Sequence, residues 1–194
     1  MEKNKKFIVL GNQNAITYKE VFPLIKDNKL WFGYGFNKVM EFKVVDGYKF
    51  SRIVIENGKE VKLGKVPAIS WFTNLEIPKR DILLDTNIDF EYGNSKGWYQ
   101  KYDNFDAINV NRTNQNPMDY NGLMGVPITF MDKYNPKQFE IVGLFNGYSH
   151  CDWDNGFICG PKTEYIDKGK SNFTTGPVID KSAVYARILI KKKN

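Results

Sequence analysis

Residues 7–25 read FIVLGNQNAITYKEVFPLI, and this stretch decides the fold class. The apolar run at its start, residues 7–10, ends at a glycine and is typical of a strand buried in an α/β sheet. A polar turn follows, and apolar residues then recur at a rough helical spacing as far as Ile25, with Asn14 or Thr17 placed to cap the helix. The sequence therefore predicts a strand, a turn and a helix as the opening unit.

Several strands are predicted after this unit. Residues 52–66 carry Asn57-Gly58 between alternating apolar residues, which is the strongest short hairpin signal because both turn positions need a positive φ. The strand-like segments are residues 40–45, 50–66, 68–77, 107–110, 139–144 and 183–190.

The chain changes character near residue 85. Residues 85–121 are rich in Asn, Asp, Gly and Tyr and show little periodicity, which predicts long loops around one short strand. Long ordered loops on a rigid scaffold commonly carry recognition residues. We therefore expect an α/β sheet in residues 1–84 and a loop-rich, mainly β region in residues 85–194 packed on it, an α/β to α+β fold.

The composition is that of a globular protein with a basic surface. Hydrophobic residues make up 42% of the chain, and no apolar run is long enough to span a bilayer. A formal charge of +6 favours a polyanionic partner, although the solubility of a Lys-rich chain explains it equally well. The apolar run near the amino terminus is too short for a secretory signal, which indicates a cytoplasmic protein.

Two cysteines lie close together in the sequence. Cys151 and Cys159 can reach one another as a disulfide, but we expect reduced, structural thiols in a cytoplasmic chain. A zinc site built from them with His150 and Asp152 is disfavoured, because the spacing lacks a Cys-x-x-Cys pair. We therefore predict no metal site.

The chain resembles the EcoRI-type adenine-specific DNA methyltransferases. The segments that carry this resemblance are FIVLGNQNAITYKEVFPLI (7–25), ISWFTNLEI (69–77), KYDNFDAINV (101–110), PMDYNGLMGVPITFMDKYNPKQFEIVG (117–143), GPVI (176–179) and YARILI (185–190). The family implies a doubly wound class I domain that transfers a methyl group from S-adenosylmethionine to the exocyclic amine of adenine in double-stranded DNA.

Two parts of such an enzyme are missing from this chain. The family's catalytic loop of Asn or Asp, Pro, Pro and Phe or Tyr is absent, since no two prolines are adjacent. The resemblance places that loop and the cofactor glycine turn upstream of residue 7, so the chain corresponds to the carboxyl-terminal half. It then carries no catalytic residue, does not bind S-adenosylmethionine alone, and needs an amino-terminal methyltransferase half or associates with itself.

LWFGYGF, residues 30–36, imitates a cofactor loop. A loop that binds a dinucleotide or S-adenosylmethionine follows a strand and opens a helix, so that backbone amides face the ligand. Here the segment follows a predicted helix and a polar turn. We interpret it as a glycine-rich turn into the next strand.

The resemblance points to a base pocket around residues 69–77. This segment corresponds to the aromatic strand that borders the flipped adenine in amino methyltransferases, and Trp71 or Phe72 is the stacking candidate, because alternation sends them to opposite faces. Asn12 follows the first strand, where a side-chain amide can reach a base in the cleft or cap the next helix.

Basic and amide side chains in or beside the predicted loops form the candidate DNA-binding set. Phosphate contacts need a positive side chain near the backbone, whereas base reading needs groups that form two hydrogen bonds. We expect the groove contact at Arg112 and its polar neighbours. The full set is Lys79, Arg80, Lys101, Asn111, Arg112, Asn114, Gln115, Lys133 and Lys137.

Two other functions compete with this interpretation. One is a stand-alone DNA-binding module that occupies sites without modifying them. The other is a Mg²⁺-dependent nuclease, suggested by the order of Asp46, Glu60 and Lys62. Alternating charges beside a hairpin turn are routine on a solvated sheet face, so chance explains the second pattern better.

Overall fold

The computed structural model describes residues 5–147 and 151–193. Within them the protein is a mixed structure with mostly β content and few helices. The strands are β1 (Ile8–Asn12), β2 (Trp31–Phe32), β3 (Met40–Lys43), β4 (Arg52–Glu56), β5 (Lys59–Val66), β6 (Ile69–Thr73), β7 (Tyr99–Tyr102), β8 (Phe105–Val110), β9 (Met124–Val126), β10 (Phe139–Phe145), β11 (Phe157–Ile158), β12 (Thr163–Asp167), β13 (Lys170–Thr174), β14 (Val178–Ile179), β15 (Ser182–Ala183) and β16 (Arg187–Lys192). The α-helices are α1 (Phe22–Lys26) and α2 (Phe90–Ser95).

The amino-terminal sheet has the order β1-β6-β2. Strand β6 pairs antiparallel with both neighbours, so β1 and β2 run parallel to one another on either side of it. The register sets Leu10 opposite Trp71 and Val9 opposite Phe72. Because paired residues point to the same face, each face of this sheet presents one aromatic residue of β6 beside one aliphatic residue of β1.

A second sheet, ordered β3-β5-β4, confirms the predicted hairpin. Its turn lies between Glu56 and Lys59, which are the last paired residues of β4 and β5. Asn57 and Gly58 have φ values of 50° and 76°, as a turn with two left-handed residues requires. The pattern of residues 52–66 therefore fixed both the turn and the pairing.

The large sheet has six strands in the order β11-β10-β16-β9-β8-β7. Both of its faces are covered: one by the main core, which includes Phe22, Ile25 and Phe72, and the other by a smaller cluster around Phe145 and Ile158. The main core draws side chains from residues on both sides of position 84. The main core is therefore continuous across position 84.

The opening unit differs from its prediction. Strand β1 forms, but its side chains are exposed along most of its length instead of buried. The helix predicted after it is a 3₁₀ turn at Gln13–Thr17 followed by the single helical turn of α1, whose second residue is Pro23. Asn12 caps the 3₁₀ turn by accepting a hydrogen bond from the Asn14 backbone N–H at 2.8 Å, so the capping residue is Asn12 and not Asn14.

The predicted loop region also contains more regular structure than its composition indicates. Helix α2 and strand β7 lie within residues 85–121, and β7 pairs with β8 over Tyr99–Tyr102. Alternation is weak there because both Tyr99 and Tyr102 are buried. The hairpin β12-β13 was not predicted either, and its turn uses Lys168 and Gly169 at positive φ.

The cysteines form a disulfide between Cys151 and Cys159, which corrects the expectation of reduced thiols. The two cysteines are eight residues apart in sequence and come together because Phe157 pairs with Asp152 across the loop between them. His150 lies outside the described residues. No helix in the described part of the chain is long and apolar enough to cross a membrane.

Candidate functional site

The two aromatic candidates of β6 have different surroundings. Phe72 is buried, 6% exposed, with its ring centroid 4.8 Å from that of Phe32. Trp71 points to the opposite face and is 38% exposed. Phe72 therefore belongs to the core, and Trp71 is the aromatic side chain that remains accessible for stacking.

Trp71 lines an open apolar cavity of about 430 Å³. A cavity of this size is within the range of small-molecule sites, and its aromatic walls suit a planar ligand. The residues that line the cavity are Ile8, Gly33, Tyr34, Trp71, Thr73, Leu75 and Ile77. Tyr34 is a second exposed aromatic side chain at this site, and sequence reasoning missed it because it lies in the glycine-rich turn.

The segment at residues 30–36 forms one wall of this cavity. Its backbone runs close to β6, where the Gly33 N–H donates to the Trp71 carbonyl oxygen at 2.8 Å, and a Cβ at Gly33 would lie 2.9 Å from the Trp71 Cβ. Gly35 has a φ of +84° and continues into a turn, not a helix. These residues do not fit the amide cradle of a cofactor loop, and the two glycines have local backbone roles.

Strand β1 forms one border of the cavity and leaves the first sheet with an exposed apolar edge. Ile8 is 59% exposed, Val9 52% and Leu10 42%, although these residues point alternately to the two faces. A continuous apolar strand is typical of the inside of a sheet that is covered on both faces, whereas β1 lies at a sheet edge with its side chains largely exposed.

Asn12 lies at the end of β1. Its side-chain oxygen is occupied by the cap of the 3₁₀ turn, and it does not line the cavity beside Trp71. The structure thus separates Asn12 from the pocket formed around Trp71.

Two of the basic candidates serve the packing of the protein. Lys79 forms an ion pair with Asp132, and both side chains are largely buried. Arg80 lies over the Trp31 ring, 4.0 Å from its centroid, and donates to the Asn28 side-chain oxygen at 2.8 Å. Burial lowers the pKa of Arg80. Asp132 therefore holds the Lys79 side chain, and Trp31 and Asn28 hold that of Arg80.

Two further candidates have acidic neighbours at the surface. Lys137 pairs with Asp81 at 2.7 Å, and its hydrogen bond lowers the pKa of that carboxyl. Lys101 lies 4.0 Å from Asp106. These exposed pairs are weak and leave both lysines near solvent.

The four residues of the predicted groove contact lie together in the segment 111–115. Arg112 and Asn114 are exposed, and in the described residues neither side chain has a hydrogen-bond or ionic partner. The Asn111 side-chain oxygen accepts from Arg187, a residue that the sequence did not single out. The Gln115 carbonyl accepts from the Tyr99 hydroxyl at 2.7 Å, which ties the segment to β7.

Lys133 is the remaining exposed candidate without a side-chain partner in the described residues. It directly follows Asp132, which is engaged by Lys79. The contrast between the two lysines follows from burial, which the sequence pattern did not reveal.

Two of the three residues of the nuclease alternative, Asp46 and Lys62, pair with one another. The Lys62 ammonium donates to Asp46 at 2.6 Å, and that hydrogen bond lowers the pKa of Asp46. Within residues 5–147 and 151–193, no group of three or more His, Cys, Asp or Glu side chains is arranged to hold a metal ion. The zinc alternative loses its thiolates to the disulfide.

Comparison with known proteins identifies the family. Residues 1–193 match the family described as adenine-specific methyltransferase EcoRI. A type II methyltransferase of Mycoplasma genitalium is 41% identical over 201 residues, covering 100% of this chain and 59% of the relative. The type II methyltransferase M.EcoRI of Escherichia coli is 42% identical, covering 77% of this chain and 46% of the relative.

A third relative, the type II methyltransferase M.MpnI of Mycoplasma pneumoniae, is 38% identical, covering 78% of this chain and 48% of the relative. No solved structure matches the chain. The chain thus spans about half the length of the curated relatives that it matches. The match over nearly all residues shows that the chain belongs to the EcoRI family of adenine-specific methyltransferases.

Proposed function

We propose that this chain supplies DNA recognition and one wall of the adenine pocket to a DNA methyltransferase, and that it is inactive by itself. The exposed apolar strand β1 beside the cavity of Trp71 carries this proposal. A strand of this kind requires a further sheet strand at its edge and covering elements on its faces. The relatives have about as much chain again in which to provide them.

The topology of the first sheet supports the same proposal. Strands β1 and β2 are parallel, with β6 antiparallel between them. Large, mostly parallel sheets often carry an antiparallel strand near one edge. We interpret β1-β6-β2 as the edge of a doubly wound class I sheet, to which the remaining part of the enzyme adds its strands next to β1.

S-adenosylmethionine would be held by that remaining part. Type II methyltransferases generally use this cofactor, but the described glycine-rich turn does not offer the required helix amides. The chain's own contribution to the reaction is Trp71, whose exposed ring would stack on the extruded adenine. Stacking of one base on an aromatic side chain is worth about 1–3 kcal/mol.

DNA contact would come from the segment 111–115 and from Lys133. The side chains of Arg112, Asn114 and Lys133, which have no partner in the described residues, are suited to phosphate oxygens and base edges. Lys79 and Arg80 contribute less, because they are held in the structure by Asp132 and Trp31. The net charge of +6 adds a general attraction for the duplex.

Fluorescence anisotropy of the purified chain with a labelled duplex at several salt concentrations tests this proposal. We expect binding that weakens steeply with salt and does not change when S-adenosylmethionine is added. Binding that requires the cofactor would contradict the assignment of the cofactor site to another part. Mg²⁺-dependent cleavage of the duplex would favour the nuclease alternative instead.

A stand-alone DNA-binding module predicts the same salt dependence. The well-buried main core favours such a module, because a chain with this core can fold alone. The two functions differ at β1, since a stand-alone module has no use for an exposed apolar edge. Methyl transfer after addition of the remaining methyltransferase part separates them.

A further inference from the structure

A polar cluster lies on the face of the large sheet that carries the smaller core. The Arg187 Nε donates to the Asn109 side-chain oxygen at 3.0 Å, and its Nη2 donates to the Asn111 side-chain oxygen at 2.9 Å. The Tyr102 hydroxyl donates to the same Asn109 oxygen at 3.0 Å. Arg187 is only 8% exposed, so its guanidinium is fixed in place by neutral amides.

The positive charge of Arg187 is not balanced by an acidic side chain. In the described residues no carboxylate lies within ion-pair distance of this guanidinium. Burying a charge is costly unless an opposite charge compensates it. An arginine has five N–H donors, and the two amide oxygens satisfy only part of them. An anionic ligand supplies both the missing charge and the missing acceptors.

A glycine makes room for this cluster. Gly125 in β9 pairs with Asn109 on one side and with Leu189 on the other. A Cβ at Gly125 would lie 2.1 Å from the Tyr102 hydroxyl oxygen, so a side chain cannot be placed there without moving that ring. The absence of a side chain at Gly125 leaves room for the Tyr102 ring, whose hydroxyl holds the Asn109 amide that also accepts from Arg187.

The cluster adjoins the predicted DNA-binding segment 111–115, because Asn111 belongs to both. Asn111 is exposed, and its amide nitrogen has no acceptor in the described part of the chain. Arg112 and Asn114 follow it with exposed, unpartnered side chains. The groups left over at this edge, the Arg187 N–H groups and the Asn111 amide, are donors, which suits a phosphate better than a base edge with mixed donors and acceptors.

We propose that Arg187 and Asn111 together bind one backbone phosphate of duplex DNA. This inference rests on the proposed function, because it names a contact for the DNA that the chain is proposed to recognise. Asn109 and Tyr102 act as positioning residues that hold the guanidinium in its orientation. A guanine edge presents a similar pair of acceptors, and the experiment distinguishes it from the phosphate.

The test is anisotropy with two duplexes of unrelated sequence over a series of salt concentrations. One phosphate contact contributes about 0.9 to the slope of log K against log salt, which corresponds to about eightfold in affinity at 0.1 M salt. We expect Arg187→Met to lose this slope and affinity equally on both duplexes. Arg187→Lys should recover part of the affinity, and Asn111→Ala, at an exposed position, should weaken binding without loss of the fold. Arg52→Met is the matched control, because Arg52 pairs with Glu41 in another sheet.

The outcomes separate the inference from the proposed function. A purely structural role for Arg187 would lower the stability of the variant in urea but leave the salt slope of the folded protein unchanged, and this result would overturn the inference alone. A loss that differs strongly between the two duplexes would overturn the phosphate assignment in favour of a base contact. A wild-type chain that binds neither duplex at any salt would overturn both.

Discussion

Shortening two apolar side chains of the exposed edge strand β1 should weaken its binding to the remaining methyltransferase part. Ile8→Ala and Val9→Ala together remove about five methyl or methylene groups, each worth about 0.8 kcal/mol when buried. Ile8 is 59% exposed and Val9 52%, so about 2.2 kcal/mol of this burial is available only to a partner. The double variant should therefore bind that part about 40-fold more weakly.

The assay is a calorimetric titration of this chain with the part of the Mycoplasma genitalium relative that lies outside the matched residues. Ile53→Ala with Ile55→Ala is the control, because these residues are 45% and 67% exposed on a different sheet. The control should bind like the wild type. Equal losses in both double variants, or no loss in the β1 variant, would refute the reasoning that β1 is an interrupted sheet edge.

Three further changes test separate parts of the structure. Lys79→Met should cost about 1–3 kcal/mol of stability in urea, because it leaves Asp132 unpaired in a largely buried site. Lys133→Met should leave stability unchanged and reduce the salt dependence of DNA binding. The reverse pattern would contradict the structural role of Lys79 and the DNA-binding role of Lys133. Burial raises the pKa of Tyr99 to about 12 from 10, so the unfolded chain releases this proton first and the free energy of unfolding should fall between about pH 10 and 12. Tyr99→Phe should flatten that part of the pH profile of stability. An unchanged slope in the variant would count against the burial of the Tyr99 hydroxyl as its cause. Asn57→Ala should lower the free energy of unfolding by about 1 kcal/mol, seen as a lower midpoint of thermal unfolding, because Ala tolerates the φ of 50° less well than Asn. An unchanged midpoint would contradict this account of the turn.

The sequence predicted the parts of the fold that depend on local chemistry. Asn57-Gly58 determined a turn and its hairpin because only a few residues tolerate two consecutive positive φ values. The strand at residues 69–73 and its alternation also followed from the pattern, including the opposite orientations of Trp71 and Phe72. The pattern did not tell which of the two is buried, since that depends on contact with Phe32 from a distant part of the chain.

The rest depended on long-range contacts. Residues 7–10 have the composition of a buried strand, yet the described residues leave their side chains largely exposed, because burial requires partners that a local pattern does not supply. Lys79 and Lys133 look alike in sequence, but only Lys79 meets Asp132 in a largely buried ion pair. Arg187 was missed because it lies within an apolar strand, where its partners Asn109 and Asn111 are more than 70 residues away.

Methyl transfer in a reconstituted enzyme tests the central claim most directly. The measurement is incorporation of labelled methyl groups from S-adenosylmethionine into duplex DNA by this chain, by the remaining part of the Mycoplasma genitalium methyltransferase, and by the two mixed. The account predicts no transfer by either part and transfer to adenine by the mixture, reduced when Trp71→Ala is introduced. Transfer by this chain alone, or a stable complex of the two parts that binds DNA and cofactor but transfers nothing, would contradict it.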